Sequence, residues 1–81
     1  MNLTLMVKDN CDACARVERL LKKLINGQKE IKLSVINIKD ATTITTQICP
    51  ALFVNQELYS YGDIEKEKLS AYLKKQYEQG N

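Results

Sequence analysis

The residues of this chain whose type and spacing could do chemistry are two cysteines, Cys11 and Cys14, in the sequence Cys-Asp-Ala-Cys. A Cys-x-x-Cys pair at the junction of a strand and a helix is typical of thiol redox chemistry. The first sulfur would face unsatisfied backbone N–H groups and the positive end of the helix dipole, which favour the thiolate. The second sulfur follows one helical turn later and can attack a mixed disulfide formed by the first. The spacing therefore predicts Cys11 as the nucleophile and Cys14 as the resolving thiol.

A second interpretation of these cysteines is structural, because buried cysteine often acts as a small hydrophobic residue. It accounts for Cys14, on the apolar side of the predicted helix, but not for Cys11 at the polar start of that helix. The chain has no histidine, which excludes a Cys-His nucleophile pair and a Cys2His2 zinc site. Asp12 opposes thiolate formation whereas Lys8 and Arg16 favour it, and the sequence leaves this balance open.

The composition predicts one compact domain over residues 1–81, since 44% of the chain is hydrophobic, 27% is charged, and three residues are Gly and one is Pro. The net charge is only +2 and the basic residues are scattered, so nucleic acid is a poor ligand. The sequence shows no signal peptide and no run of ~20 apolar residues that would cross a membrane. An odd number of cysteines argues against a framework of structural disulfides. We therefore expect a cytoplasmic monomer that binds no nucleic acid, membrane or metal.

Hydrophobic periodicity predicts seven elements in the order β-α-β-(short α)-β-β-α. Strands are expected at residues 2–7, 31–38, 51–54 and 58–61, long helices at 11–25 and from about 65 onwards, and a turn or two of helix within 39–49. The first two strands should be parallel, the next two should form an antiparallel hairpin, and the helices should cover both faces of the sheet. The predicted core-facing residues of the two long helices are Cys14, Val17, Leu20, Leu21, Leu24 and Ile25, and Leu69, Tyr72, Leu73 and Tyr77.

The second half of the chain carries a resemblance to a known family. The segment Ile48–Glu57, followed by Tyr61-Gly62-Asp63, resembles the proline–strand–turn–strand–glycine segment of the thioredoxin and glutaredoxin superfamily. The resemblance covers nearly the whole chain and implies a thioredoxin-like α/β fold, with a four-stranded mixed sheet flanked by helices. The chain departs from the family in having Asp12-Ala13 between its cysteines and a shorter segment before Pro50 than typical relatives have.

The same resemblance implies a substrate site around the cysteines. Pro50 matches the family's cis-proline, which would turn the backbone of Cys49 towards an extended substrate or glutathione; the alternative is an ordinary strand-opening proline. Lys8 is similar to the lysine that precedes the cysteines of many glutaredoxins, and Gly62-Asp63 looks like part of their glutathione-binding loop. The implied function is a small thiol–disulfide oxidoreductase that acts on a protein or low-molecular-weight disulfide. A reductase or glutathione would supply the electrons, with glutathione as a candidate co-substrate and no other cofactor.

Two other classes of function remain open. A Cys-x-x-Cys after a first strand also resembles heavy-metal-associated domains, whose paired thiolates carry a soft ion such as Cu(I), or zinc. The Gly-Met-x before the first cysteine of such carriers is missing here, and Cys49-Pro50 has no role in them. The third class is a non-catalytic interaction module, whose candidate contact residues are Tyr59, Tyr61, Tyr72 and Tyr77. Their positions on strands and on a helix face favour packing over binding.

Cys49 has two interpretations of its own. It is either a small residue that fills a tight position beside Pro50, or a third sulfur at the rim of the redox site. A third sulfur there would pair with Cys11 under oxidation or complete a three-thiolate metal site.

Overall fold

The described residues of the chain fold into one four-stranded sheet with two long helices. The structure is a computed structural model, and it describes residues 1–40 and 48–79 apart from the side chains of residues 77–79. Its elements are β1 Asn2–Val7, α1 Asp12–Ile25, β2 Lys32–Asn37, β3 Ala51–Val54, β4 Glu57–Tyr61 and α2 Lys66–Gln79, with a short 3-10 helix at Ile38–Asp40. The order of strands and long helices predicted from the sequence is confirmed. The rest of the short helix predicted within 39–49 lies outside the described residues, which resume at residue 48.

The sheet has the strand order β2-β1-β3-β4. β1 is parallel to β2 and antiparallel to β3, so Leu5 lies opposite Val35 on one side and Leu52 on the other. β3 and β4 form the antiparallel hairpin predicted from the sequence. Its turn residues Asn55 and Gln56 both have positive φ, 50° and 74°, as a two-residue turn matched to the twist of its strands requires.

The hydrophobic core lies on one face of this sheet. Both long helices contribute to it. The residues that point to the opposite face include Thr4 but also Met6 and Ala51, which are fully buried. Most of the segment 39–49, where the short helix was predicted, lies outside the described residues, so the placement of helices on both faces stays a prediction. The buried core residues are Leu3, Leu5, Val17, Leu21, Leu52, Val54, Leu69 and Leu73.

Helix α1 ends where the sequence predicts, but one of its predicted core-facing residues lies elsewhere. It ends at Ile25 with Asn26 as its C-cap, and Gly27 follows with a φ of +85°, the left-handed conformation that favours glycine after a helix. Cys14, Val17 and Leu21 are its buried residues. Leu20, predicted to face the core, does not pack against that core within the described residues and lies on the outer side of the helix. It is one position, about 100°, away from Leu21.

Helix α2 is attached to β4 through a pair of aromatic rings. The rings of Tyr59 and Tyr72 are 4.5 Å apart between centroids and tilted by 46°. Both tyrosines also pack against the core, so they serve packing, as their spacing predicted, whereas Tyr61 is 45% exposed. The side chain of Tyr77 lies outside the described part of the chain. No helix among the described residues is long and apolar enough to span a bilayer.

Candidate active site

The two cysteines meet at the first turn of α1. Cys11 is the N-cap residue, with extended backbone angles of −118° and 104°, and α1 begins at Asp12. Cys11 and Cys14 form a disulfide, with their Cα atoms 5.2 Å apart. The backbone N–H of Cys14 donates a hydrogen bond of 3.1 Å to Sγ of Cys11. The sulfur therefore occupies the place of the oxygen in an ordinary N-cap, facing the helix N–H groups that favour an anion.

The two sulfurs differ in how well they can be reached. The residue Cys14 is only 4% exposed and is among the buried residues of α1. Cys11, at the start of the helix, is half-buried and keeps a solvent-facing side. Cys11 is therefore the more accessible of the two cysteines.

A polar cluster holds the loop that precedes Cys11. The carboxylate of Asp9 accepts hydrogen bonds from Nδ2 of Asn37 at 3.0 Å and from Nζ of Lys39 at 3.2 Å. The bond from Lys39, and then that from Asn37, lowers the pKa of the Asp9 carboxyl below its usual value. Sequence reasoning missed this cluster, because its members are 28 and 30 positions apart. Asp9 thereby ties the loop before Cys11 to the last residue of β2 and to the 3-10 helix that follows it.

The proline segment lies at the same end of the sheet. Met6 pairs with Ala51, so the antiparallel register places Pro50 beside the end of β1, where the loop to Cys11 begins. The peptide bond between Cys49 and Pro50 is cis. The backbone N–H of Gly62 donates a 2.7 Å hydrogen bond to the carbonyl of Pro50. Gly62 has a φ of +73°, a conformation that a residue with a side chain adopts only with strain.

Asp63, the next residue, is joined to α1 by Arg16. Nε and Nη2 of Arg16 donate to the two carboxylate oxygens of Asp63 at 3.1 and 3.0 Å. The hydrogen bond from Arg16 lowers the pKa of the Asp63 carboxyl, and the same bond raises that of the guanidinium. Both side chains are largely exposed, 53% for Arg16 and 62% for Asp63. Sequence reasoning considered Arg16 only as a nearby charge and missed its contact with Asp63.

The structure brings some of the predicted substrate residues together but not all of them. Pro50, Gly62 and Asp63 form a connected rim, and Arg16 joins that rim to α1. Lys8 is exposed in the loop between β1 and α1 and makes no hydrogen bond or ion pair within the described part of the chain. The thiol of Cys49 is free and half-buried.

A family model for the glutaredoxin-like domain (DUF836) matches residues 2–74. The chain belongs to this family. It is also similar to the crystal structure of Trxlp from Edwardsiella tarda EIB202, with a TM-score of 0.64 and 23% sequence identity over 89% of this chain and 80% of that one. The glutaredoxin-like family and this structural similarity confirm the predicted thioredoxin-like fold. A search of curated proteins found no match.

Membership of the glutaredoxin-like family bears on the alternatives raised by the sequence. The family match covers both the Cys11–Cys14 pair and the Cys49-Pro50 segment, and the latter has no role in a heavy-metal-associated domain. Among the described residues, no group of three or more Cys, Asp or Glu side chains is placed to hold a metal ion. The glutaredoxin-like domain and the disulfide between Cys11 and Cys14 fit a thiol redox role.

Proposed function

We propose that the protein is a small thiol–disulfide oxidoreductase with Cys11 as nucleophile and Cys14 as resolving thiol. The observation that carries this proposal is the asymmetry of the bonded pair, in which a reachable Cys11 caps the helix and Cys14 is buried behind it. The N–H of Cys14 directed at Sγ of Cys11 supports it, because this contact favours a thiolate at that position.

The proposed cycle begins with both cysteines reduced. The Cys11 thiolate attacks one sulfur of a substrate disulfide, so that a mixed disulfide forms and the other substrate sulfur leaves as a thiolate. Cys14 then loses its proton and attacks Sγ of Cys11, which releases the second substrate thiolate and closes the Cys11–Cys14 disulfide. Two electrons pass from the dithiol to the substrate, and the two thiol protons go to solvent or to the leaving sulfurs. A reductase or two molecules of glutathione would return the pair to its reduced form.

The rim beside the pair is the proposed substrate site. The backbone of Cys49 before Pro50 would pair with an extended substrate strand, while Gly62 and Asp63 border it and Lys8 supplies a positive charge on the loop. Both carboxylate oxygens of Asp63 are already held by Arg16. The ammonium group of glutathione would have to share that carboxylate, which favours a protein disulfide over glutathione as the physiological substrate.

In this proposal the protein acts in the cytoplasm and as a monomer. A reducing compartment would return Cys11 and Cys14 to the dithiol form and keep Cys49 as a thiol. One chain carries both sulfurs of the cycle and the rim beside them, so the chemistry needs no second subunit.

The test is reduction of a peptide disulfide by the wild type and by two variants, Cys11→Ser and Cys14→Ser. We expect the wild type to turn over, Cys11→Ser to be inert, and Cys14→Ser to stop as a mixed disulfide that mass spectrometry detects. Metal content is measured on the same wild-type preparation. Absence of turnover together with stoichiometric copper or zinc would replace this proposal with a metal carrier.

A further inference from the structure

A groove with a strongly basic lining runs along the outer side of α1, away from the core. Its lining includes Arg16, Arg19, Leu20, Lys22, Lys23 and Lys66. Four of the five cations come from one helix, and Lys66 adds the fifth from the start of α2. The sequence as a whole has a net charge of only +2, so this groove concentrates a charge that the composition alone conceals.

Part of this charge is not compensated. Arg16 is paired with Asp63 at 3.0 Å, and Lys22 with Glu18 at 2.7 Å. Arg19, Lys23 and Lys66 are exposed and have no ion-pair partner among the described residues. These three cations line the groove together with the half-buried side chain of Leu20. The groove therefore offers unpaired positive charge around an apolar contact, a surface complementary to an acidic segment with an apolar residue in it.

The groove lies along the same helix that carries the cysteine pair. Arg16, Arg19 and Lys23 recur at helical spacing on one side of α1, and the same helix begins at Cys11. Arg19 lies about 12 Å along the helix axis from Cys11, a span that about four extended residues cover. Asp12, exposed beside Cys11, repels acidic groups close to the reacting sulfurs, so attraction begins only farther along the helix.

We propose that the groove along α1 binds an acidic segment of the protein whose disulfide Cys11 attacks, an inference that rests on the proposed function. The segment begins about four residues from the substrate cysteine, carries two or more Asp or Glu residues and lies against Arg19, Lys23 and Lys66. This assigns a class of partner, a protein with an acidic stretch near its disulfide, and makes the charge on α1 a determinant of substrate choice.

The test uses two peptide disulfides that differ only in charge. Each carries a four-residue Gly-Ser linker after its cysteine and then a tail of either four glutamates or four glutamines. The ratio of their kcat/KM values is measured at low and high salt for the wild type, for Arg19→Gln/Lys23→Gln, and for the control Lys74→Gln/Lys75→Gln. The control removes the same charge from exposed positions on α2, and the ratio cancels any effect on the chemistry itself.

We expect the wild type to prefer the glutamate tail by about three- to tenfold at low salt, as two or three exposed ion pairs provide, and to lose the preference as salt screens them. The control should keep the preference and Arg19→Gln/Lys23→Gln should lose it. Turnover of both peptides with no preference, or an equal loss in the control, would overturn the docking proposal and leave the proposed function standing.

A second measurement separates the groove from the chemistry. Binding of a fluorescent, cysteine-free glutamate-tail peptide to the Cys11→Ser/Cys14→Ser protein is followed by anisotropy, with the glutamine-tail peptide as reference. Salt-sensitive binding of the glutamate peptide that Arg19→Gln/Lys23→Gln abolishes supports the groove even if neither peptide disulfide is reduced, an outcome that would overturn the proposed function alone. Equal binding of the two tails would overturn the groove.

Discussion

Arg16 on α1 and Asp63 in the loop after β4 are joined by two parallel hydrogen bonds across 47 positions of sequence. A planar guanidinium on a carboxylate in this geometry fixes orientation as well as distance. Because the N–H of Gly62 donates in turn to the carbonyl of Pro50, the contact connects α1 with the proline segment. Exposed ion pairs add little to stability, so the consequence of this one is the position of the loop at the rim.

The first prediction concerns the titration of Asp63. The hydrogen bond from Arg16 holds the pKa of this carboxyl below its usual value of 3.8. A carboxyl whose pKa is lower in the folded state contributes stability above its unfolded pKa and loses it as the pH falls through the folded value. We therefore expect a carbon-detected NMR titration to give a midpoint below 3.8, and Arg16→Gln to move it back towards 3.8.

The matched control is Lys22→Gln, which removes a cation from the same helix but from the pair with Glu18. It should leave the titration of Asp63 unchanged. If Asp63 titrates with the same midpoint in the wild type and in Arg16→Gln, the hydrogen bonds between Arg16 and Asp63 are contradicted.

The second prediction compares two adjacent leucines of α1. Leu21 is fully buried in the core, whereas Leu20 lies outside it within the described part of the chain. Leu21→Ala should lower the free energy of unfolding by about 2–5 kcal/mol, because it leaves a cavity among packed side chains. Leu20→Ala should cost less than about 1 kcal/mol. Urea denaturation of both variants measures the difference, and equal losses would contradict the observed orientation of α1.

These leucines also show how far the sequence determines the fold. The strands β1 and β3 were predicted at their observed bounds because their apolar residues and flanking turn residues are local signals. Periodicity defined one side of α1 but could not separate Leu20 from Leu21, since both fall within the width of an ordinary apolar stripe. The face that α2 covers depends on its packing against β1 and β3, which no local pattern records.

In the candidate site, too, local features could be predicted from the sequence and contacts between distant residues could not. Cys11 and Cys14 were predictable because their spacing and their position at a helix start are both local. The bonds from Asp63 to Arg16 and from Asp9 to Asn37 join residues 47 and 28 positions apart. Such contacts arise only when the sheet order brings distant loops to one edge. The sequence therefore indicates the cysteine pair at the helix start but not the side chains that hold its surroundings.

The third prediction concerns the hairpin turn. Gln56 has a φ of +74°, where a side chain costs about 1–2 kcal/mol relative to right-handed backbone. Gln56→Gly should raise the free energy of unfolding by about 0.5–1 kcal/mol, the strain relieved less the added flexibility of glycine. Asn55→Gly is the control, because Oδ1 of Asn55 accepts a 2.9 Å hydrogen bond from the N–H of Asn2. Asn55→Gly should not raise the free energy of unfolding. Thermal unfolding of both variants measures the difference, and an equal gain in the two would contradict the prediction.

The last prediction is that the thiol of Cys49 takes no part in disulfide exchange. This thiol is free while Cys11 and Cys14 are bonded to each other, and within the described residues the three sulfurs form no metal-binding group. Only the backbone of Cys49 belongs to the proposed substrate site, and Cys49→Ser preserves that backbone. We expect Cys49→Ser to keep the wild-type reduction potential, and peptide mapping of the oxidised wild type to find the Cys11–Cys14 bond alone. A fragment that joins Cys49 to Cys11, or a shifted potential in Cys49→Ser, would instead make the third sulfur a participant that competes with the dithiol cycle.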